Sequence, residues 1–133
     1  AGAAWLKKKK VPSKRLVFCG ASVGANLVLK AAALGKLKPA EVVLLSPGVE
    51  YAGVSTEGYL AVKQPFTVII AASPDDPYAW QSSSRLAGIA RAKGPTVIQL
   101  QGESGHGVNM FKTPGLMTAI IDLVLEAPGA KPK

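Results

Sequence analysis

The sequence predicts an α/β fold, about four parallel strands alternating with helices on both faces of the sheet. Three observations lead to it. Largely apolar runs at Leu16 to Cys19, Glu41 to Leu45, Phe66 to Ala72 and Thr96 to Gln101 have the continuity of strands buried on both sides, not the alternation of a half-exposed sheet. Segments of helical length that end in glycine or proline separate these runs. The pentapeptide Gly20-Ala21-Ser22-Val23-Gly24 falls where the first run meets the helical segment after it, the order strand, tight turn, helix.

At 133 residues the chain is long enough for one domain with its own core. Apolar residues make up 48% of it, which excludes a disordered chain. No apolar run approaches the ~20 residues that span a bilayer, and the N-terminus lacks a charged-then-apolar signal pattern, so a cytoplasmic location is expected. Cys19 is the single cysteine, so no internal disulfide forms, and its strand position predicts a buried, inert thiol.

The net charge of +8 is unevenly placed, with six of the 16 basic residues at Lys7 to Lys10, Lys14 and Arg15. That run is read as a solvated helix end, where cations favour the C-terminal dipole, followed by a Pro12-Ser13 turn into the first strand. No aromatic residues interleave with it, so nucleic-acid binding is the least favoured reading.

In chain order, Ala1 to Leu6 ahead of the lysines read as the end of a helix, and residues 1–14 as partial helix plus basic linker. The first strand, Leu16 to Cys19, runs into the pentapeptide. There Gly20 and Gly24 are expected to be glycine because a side chain at either flank would strike strand or helix. The following helix, Val23 to Leu34, is apolar nearly all round and is expected to be buried, with Gly35 as its cap. Lys36 to Ala40 link to the second strand, Glu41 to Leu45, which Ser46-Pro47-Gly48 stop. Val49 to Gln64 carry no convincing period and read as a loop with a short helix. The third strand is Phe66 to Ala72, followed by Asp75-Asp76-Pro77 and a helix over Ala79 to Lys93. Thr96 to Gln101 make the fourth strand. A last helix is expected with Thr113 as its cap and Pro114 at its first position, running to about Glu126 before a basic tail at residues 128–133.

A parallel sheet brings the C-terminal ends of all its strands to one edge, where open α/β folds place their sites. Ser22, the pair Asp75 and Asp76, and His106 each follow a strand end. Serine is a weak nucleophile until a histidine takes its proton, and a carboxylate fixes that histidine's tautomer. His106 is the only histidine, flanked by Gly105 and Gly107, which let the backbone bring the ring close to its partners. Of the adjacent aspartates Asp76, stiffened by Pro77, is favoured as the acid, with Asp75 the alternative and Glu103 and Glu50 weaker ones. The backbone N–H of Val23, at a helix N-terminus, is placed to meet a developing oxyanion. One histidine and one cysteine far apart in the chain make no metal site.

Gly20-Ala21-Ser22-Val23-Gly24-Ala25-Asn26, then Asp76-Pro77, then Gly105-His106-Gly107 resemble the α/β-hydrolase superfamily, with its carboxylesterase, dienelactone-hydrolase and lysophospholipase-like members, over Trp5 to Glu126. The resemblance implies a partial α/β-hydrolase fold with Ser22 as nucleophile, His106 as base and Asp76 as acid. It further implies the Val23 N–H as an oxyanion donor, a small-molecule ester substrate and no cofactor. Members usually carry further strands before the nucleophile strand. This chain is therefore read as one truncated domain, residues 1–133, corresponding to the C-terminal half. The loop that supplies a second oxyanion donor is then missing, and the first strand becomes an open edge. Self-association, or pairing with the missing half, is expected through that edge. A catalytically weak half-domain that works by such binding is the alternative function. Substrate-binding residues are not assigned. Apolar residues of Val49 to Gln64, with Val108, Met110 and Phe111, are candidate pocket lining and equally readable as core.

Overall fold

The computed structural model describes residues 2–126. Helix α1 (Gly2–Lys8) and a 3-10 turn at Ser13–Arg15 lead into strand β1 (Val17–Ala21). Helix α2 (Val23–Leu34), strand β2 (Glu41–Leu45), a two-stranded hairpin of β3 (Glu50–Tyr51) and β4 (Val54–Ser55), and helix α3 (Glu57–Leu60) follow. Strand β5 (Thr67–Ala72), helix α4 (Pro77–Lys93), strand β6 (Val97–Gln101), a 3-10 segment at Gly107–Lys112 and helix α5 (Leu116–Glu126) complete the described chain. The expected basic tail at 128–133 lies outside the described residues.

The main sheet has the order β1-β2-β5-β6 with every pair parallel, as the continuous apolar runs predict. β2 and β5 are the inner strands, and their alternate side chains feed two cores. Val42, Leu44, Val68 and Ile70 pack beneath α2, α3 and α4 with Ala25, Leu29, Leu60, Leu86, Ala87 and Ala90. Val43, Leu45, Ile69 and Ala71 pack on the opposite face against Met110, Leu116 and Ile120 of the last 3-10 segment and α5. Helices thus cover both faces of the sheet, three on one and one on the other.

Four expectations are corrected. α2 is buried on one side only. Ala25, Asn26, Leu29 and Ala32 are covered by the sheet, the hairpin and α3, whereas Leu27 is 49% and Leu34 67% exposed. Thr113 does not cap the last helix. It closes the 3-10 segment, and α5 begins at Leu116 after Gly115, whose φ of +104° interrupts any helix started at Pro114. The stretch from Val49 holds a hairpin as well as a short helix. Cys19 is exposed, not buried, because among the described residues β1 ends the sheet and Cys19 lies between the half-buried Val17 and Ala21 where α5 gives no cover.

Candidate active site

β1 runs to Ala21, two residues beyond the expected end, so Ser22 is the turn itself. Its φ of 55° and ψ of −129° lie where a residue with a side chain is strained. The turn is pinned from below by the Ser22 N–H donating to the Leu45 carbonyl at 2.9 Å. α2 then starts directly above β1, so closely that a Cβ at Gly20 would stand 2.8 Å from the Ala25 nitrogen. Gly20 is required by this approach. Gly24 is not, since a Cβ there would meet nothing within 4 Å. Val23 opens α2, where the first N–H groups of a helix have no partner inside it.

His106 hangs from a loop that is fastened on both sides. On one side Gly105, at φ +95°, donates its N–H to both carboxylate oxygens of Asp75 at 3.0 Å. The Ser73 hydroxyl lies within reach of the same carboxylate and 2.6 Å from the Gly105 carbonyl. These contacts, the Ser73 hydroxyl first and the Gly105 N–H second, hold the Asp75 carboxyl below the usual aspartate range. On the other side Gly107, at φ +58°, donates to the Ser46 Oγ at 2.8 Å. A Cβ at Gly107 would lie 3.2 Å from that of Ala21, so the loop rests against the end of β1, one residue before Ser22.

The two aspartates divide the work between them. Asp76 Oδ2 contacts His106 Nδ1, and Asp76 Oδ1 accepts the Ala79 N–H at 3.3 Å, capping α4. An ionised carboxylate can only accept, so Nδ1 carries a proton, and in the neutral ring Nε2 is then the acceptor. Asp75 turns to Gly105 instead of the ring. Neither Glu50 nor Glu103 hydrogen-bonds His106 among the described residues. The His106 side chain is 44% exposed and that of Asp76 17%, so the ring is open to solvent while its carboxylate is shielded. No hydrogen bond joins Ser22 to His106 among the described residues.

One aromatic ring stands beside His106, and further polar residues brace the elements around it. The Tyr51 ring stands edge-on to His106 at 6.5 Å and to Tyr78 at 5.3 Å. Burial, then the charge of Asp76, then Tyr78 push its hydroxyl pKa up, so it stays protonated. Tyr78 secures the hairpin that carries Tyr51 by donating to the Glu50 carbonyl at 2.7 Å. Behind them the fully buried Asn26 accepts the Gly48 N–H at 3.2 Å and donates to the Val54 carbonyl at 2.7 Å, tying α2 to the hairpin. Ser46 and Ser73, both buried, follow β2 and β5 respectively.

Met110 and Phe111 pack in the α5-side core, so they are not pocket lining, and Val108 is exposed. A cavity of about 670 Å³ opens elsewhere, between α1, Val11 to Ser13, Phe18 and the end of α2. Among the described residues no group of three or more His, Cys, Asp and Glu is placed to hold a metal, and no helix is long and apolar enough to cross a membrane.

No protein-family model and no curated protein matches the sequence. Solved structures do match the fold. A carboxylesterase from Bacillus cereus superposes with a TM-score of 0.69 at 21% identity, over 94% of this chain and 56% of the other. One from Mesorhizobium loti gives 0.68 at 22% identity, over 94% and 56%. An esterase from Pyrococcus furiosus gives 0.72 at 17% identity, over 95% and 59%. The chain therefore spans a little over half the length of the structures it resembles.

Proposed function

With the fold of the α/β-hydrolases as the frame, four strands of it, we propose that this chain carries the catalytic half of a serine hydrolase that cleaves carboxylic esters. The observation that carries the reading is the strained Ser22 at the strand-to-helix turn, with the His106–Asp76 pair fastened against the residue before it. Nε2 of His106 takes the Ser22 proton as Oγ attacks the ester carbonyl, and the Val23 N–H meets the oxyanion. The imidazolium, held in place by Asp76, returns the proton to the leaving alcohol. Water then enters through the same base and releases the acid from Ser22. A small or medium acyl ester is the substrate class we assign to this site. Only one oxyanion donor is assigned, and a missing donor costs about 100- to 1,000-fold in rate, so turnover by this chain is expected to be slow.

The test is intact-mass analysis after exposure to a fluorophosphonate ester, with Ser22→Ala alongside. One adduct on Ser22, absent from the variant, supports the reading. No adduct on a folded chain overturns it and favours the second reading, a catalytically weak half-domain that acts by binding through β1, which pairs with β2 alone among the described residues.

A further inference from the structure

We propose that Ser46 is a positioning residue, whose buried hydroxyl holds the His106 loop at the distance from Ser22 that proton transfer needs. The proposal rests on the reading of Ser22 and His106 as nucleophile and base.

Nucleophile and base come from distant parts of the sheet. Ser22 stands at the end of β1, and the His106 loop leaves β6, with β2 and β5 between them. The Ser73 and Asp75 contacts with Gly105, and the Asp76 contact with the ring, tie the loop to the end of β5. None of them fixes how far the loop reaches toward Ser22. Among the described residues, one hydrogen bond joins residues 102–112 to the β1–β2 side of the sheet, the Gly107 N–H donating to Ser46 Oγ at 2.8 Å.

The same short piece of chain holds the nucleophile. In the Leu45–Ser46 peptide the carbonyl accepts the Ser22 N–H at 2.9 Å and the N–H donates to the Ala71 carbonyl at 2.7 Å. Leu45 is in register with Ala21 on one side and Ala71 on the other. The backbone of Ser22 is thus fixed by one carbonyl, and the loop of the base by the very next side chain. A Cβ at Gly107 would stand 3.2 Å from that of Ala21, so the bond seats the loop against the residue before Ser22.

A serine is costly where Ser46 stands. Its φ of 48° lies in the left-handed region that a residue with a side chain seldom adopts, and Pro47 after it narrows the choice further. It is 0% exposed, where a hydroxyl without a partner is destabilising. A glycine would take this backbone without strain, and an alanine would remove the polar group. What serine adds to either is an acceptor for the buried Gly107 N–H, itself held at φ +58°. Strain of this kind persists only where the surrounding structure fixes it, and it clusters at working sites.

The experiment follows the labelling of Ser22 by a fluorophosphonate ester in the wild-type chain, Ser46→Ala, Ser46→Cys and Ile120→Ala, the last a core truncation in α5. A misplacement of about 1 Å costs about 100-fold in rate. Ser46→Ala is therefore expected to lower the maximal labelling rate by about 100-fold, with the half-saturating probe concentration within about twofold of wild type. Ser46→Cys keeps the size of the side chain with a weaker acceptor, and should recover about tenfold of that loss. Ile120→Ala should unfold at lower urea yet, while folded, label at the wild-type rate. A Ser46→Ala rate within about threefold of wild type overturns the proposal, as does a loss matched by Ile120→Ala or one that falls on probe affinity alone. Should Ser46→Ala not fold, Ser46→Cys decides in its place, and an unchanged rate in it overturns the proposal. A wild-type chain that takes no label sinks the ester reading by itself. Whether Ser46 sets the loop is then decided by the NMR cross-relaxation between the Ala21 methyl and Gly107, expected in the wild-type chain and lost in the Ser46 variant that folds; its persistence there overturns the proposal.

Discussion

The two aspartates after β5 offer a sharp test, because the structure gives them different partners. Asp76→Asn keeps an oxygen able to cap α4, and Asn ranks with Asp at such positions, so the fold is expected to survive. The new amide NH₂ must then face His106 Nδ1–H, donor against donor. The ring escapes by moving its proton to Nε2, the atom that must accept from Ser22. Loss of the tautomer-fixing carboxylate costs about 10,000-fold in other triads, so phosphonylation of Ser22 should slow by about 1,000- to 10,000-fold. Asp75→Asn loosens the Gly105 anchor but leaves the ring with its partner. Because Asp75 is an exposed charge, its loss should cost no more than about fivefold. The assay is time-resolved intact mass for both variants beside wild type. As His106 is the only histidine, its Nδ1 proton, followed by NMR, reports the same contact independently of activity. Equal losses, or a larger loss at Asp75, would refute the division of roles.

Other expectations are simpler. Gly24→Ala should be tolerated or stabilise α2 by about 0.5 kcal/mol, since nothing stands near the added methyl, whereas Gly20→Ala should cost about 3 kcal/mol by driving α2 off β1; urea unfolding of the pair measures both. Asn26→Ala strands the Gly48 N–H and the Val54 carbonyl and should cost about 2–4 kcal/mol by the same measurement, with a loss below about 0.5 kcal/mol refuting the hydrogen-bond argument. The Asp75 pKa is depressed in the folded chain, so its contribution to stability is complete above the ordinary aspartate value and is lost as pH falls through the lowered one. The Gly105 amide resonance should therefore titrate with a midpoint below that ordinary value, and a midpoint at or above it would contradict the anchor.

Much of the frame could be read from local pattern. The helix at Val23–Leu34 and the strand at Glu41–Leu45 match their expected bounds because their signals, an apolar run and a glycine or proline stop, are local. The hairpin was not legible. Its turn holds Ala52 at φ 48° ahead of Gly53 at φ 76°, and alanine rarely adopts that conformation, so nothing in the composition marks it. The anchors of His106 were hidden for another reason. Asp75, Ser73 and Ser46 lie 30 to 61 residues from the glycines they hold, and only the finished sheet brings those ends together. The choice between Asp75 and Asp76 was open in the sequence because both are acidic and both precede a helix. What separates them is the direction each carboxylate takes. Gly24 was misjudged because a spacing pattern cannot tell which of two glycines the neighbouring element actually approaches.

The bond from Gly107 to Ser46 has a dynamic consequence. Gly107 is buried, and the hydroxyl it reaches belongs to Ser46, the residue that follows the wholly buried strand β2. An amide held in that way is expected to exchange its hydrogen with solvent more slowly than those of the exposed residues around it. The residue before it presents a side chain 44% exposed to solvent. The histidine is thus wet at its ring and tethered at its backbone, reachable by a solute from outside while the residues on either side of it are hydrogen-bonded to the ends of the sheet.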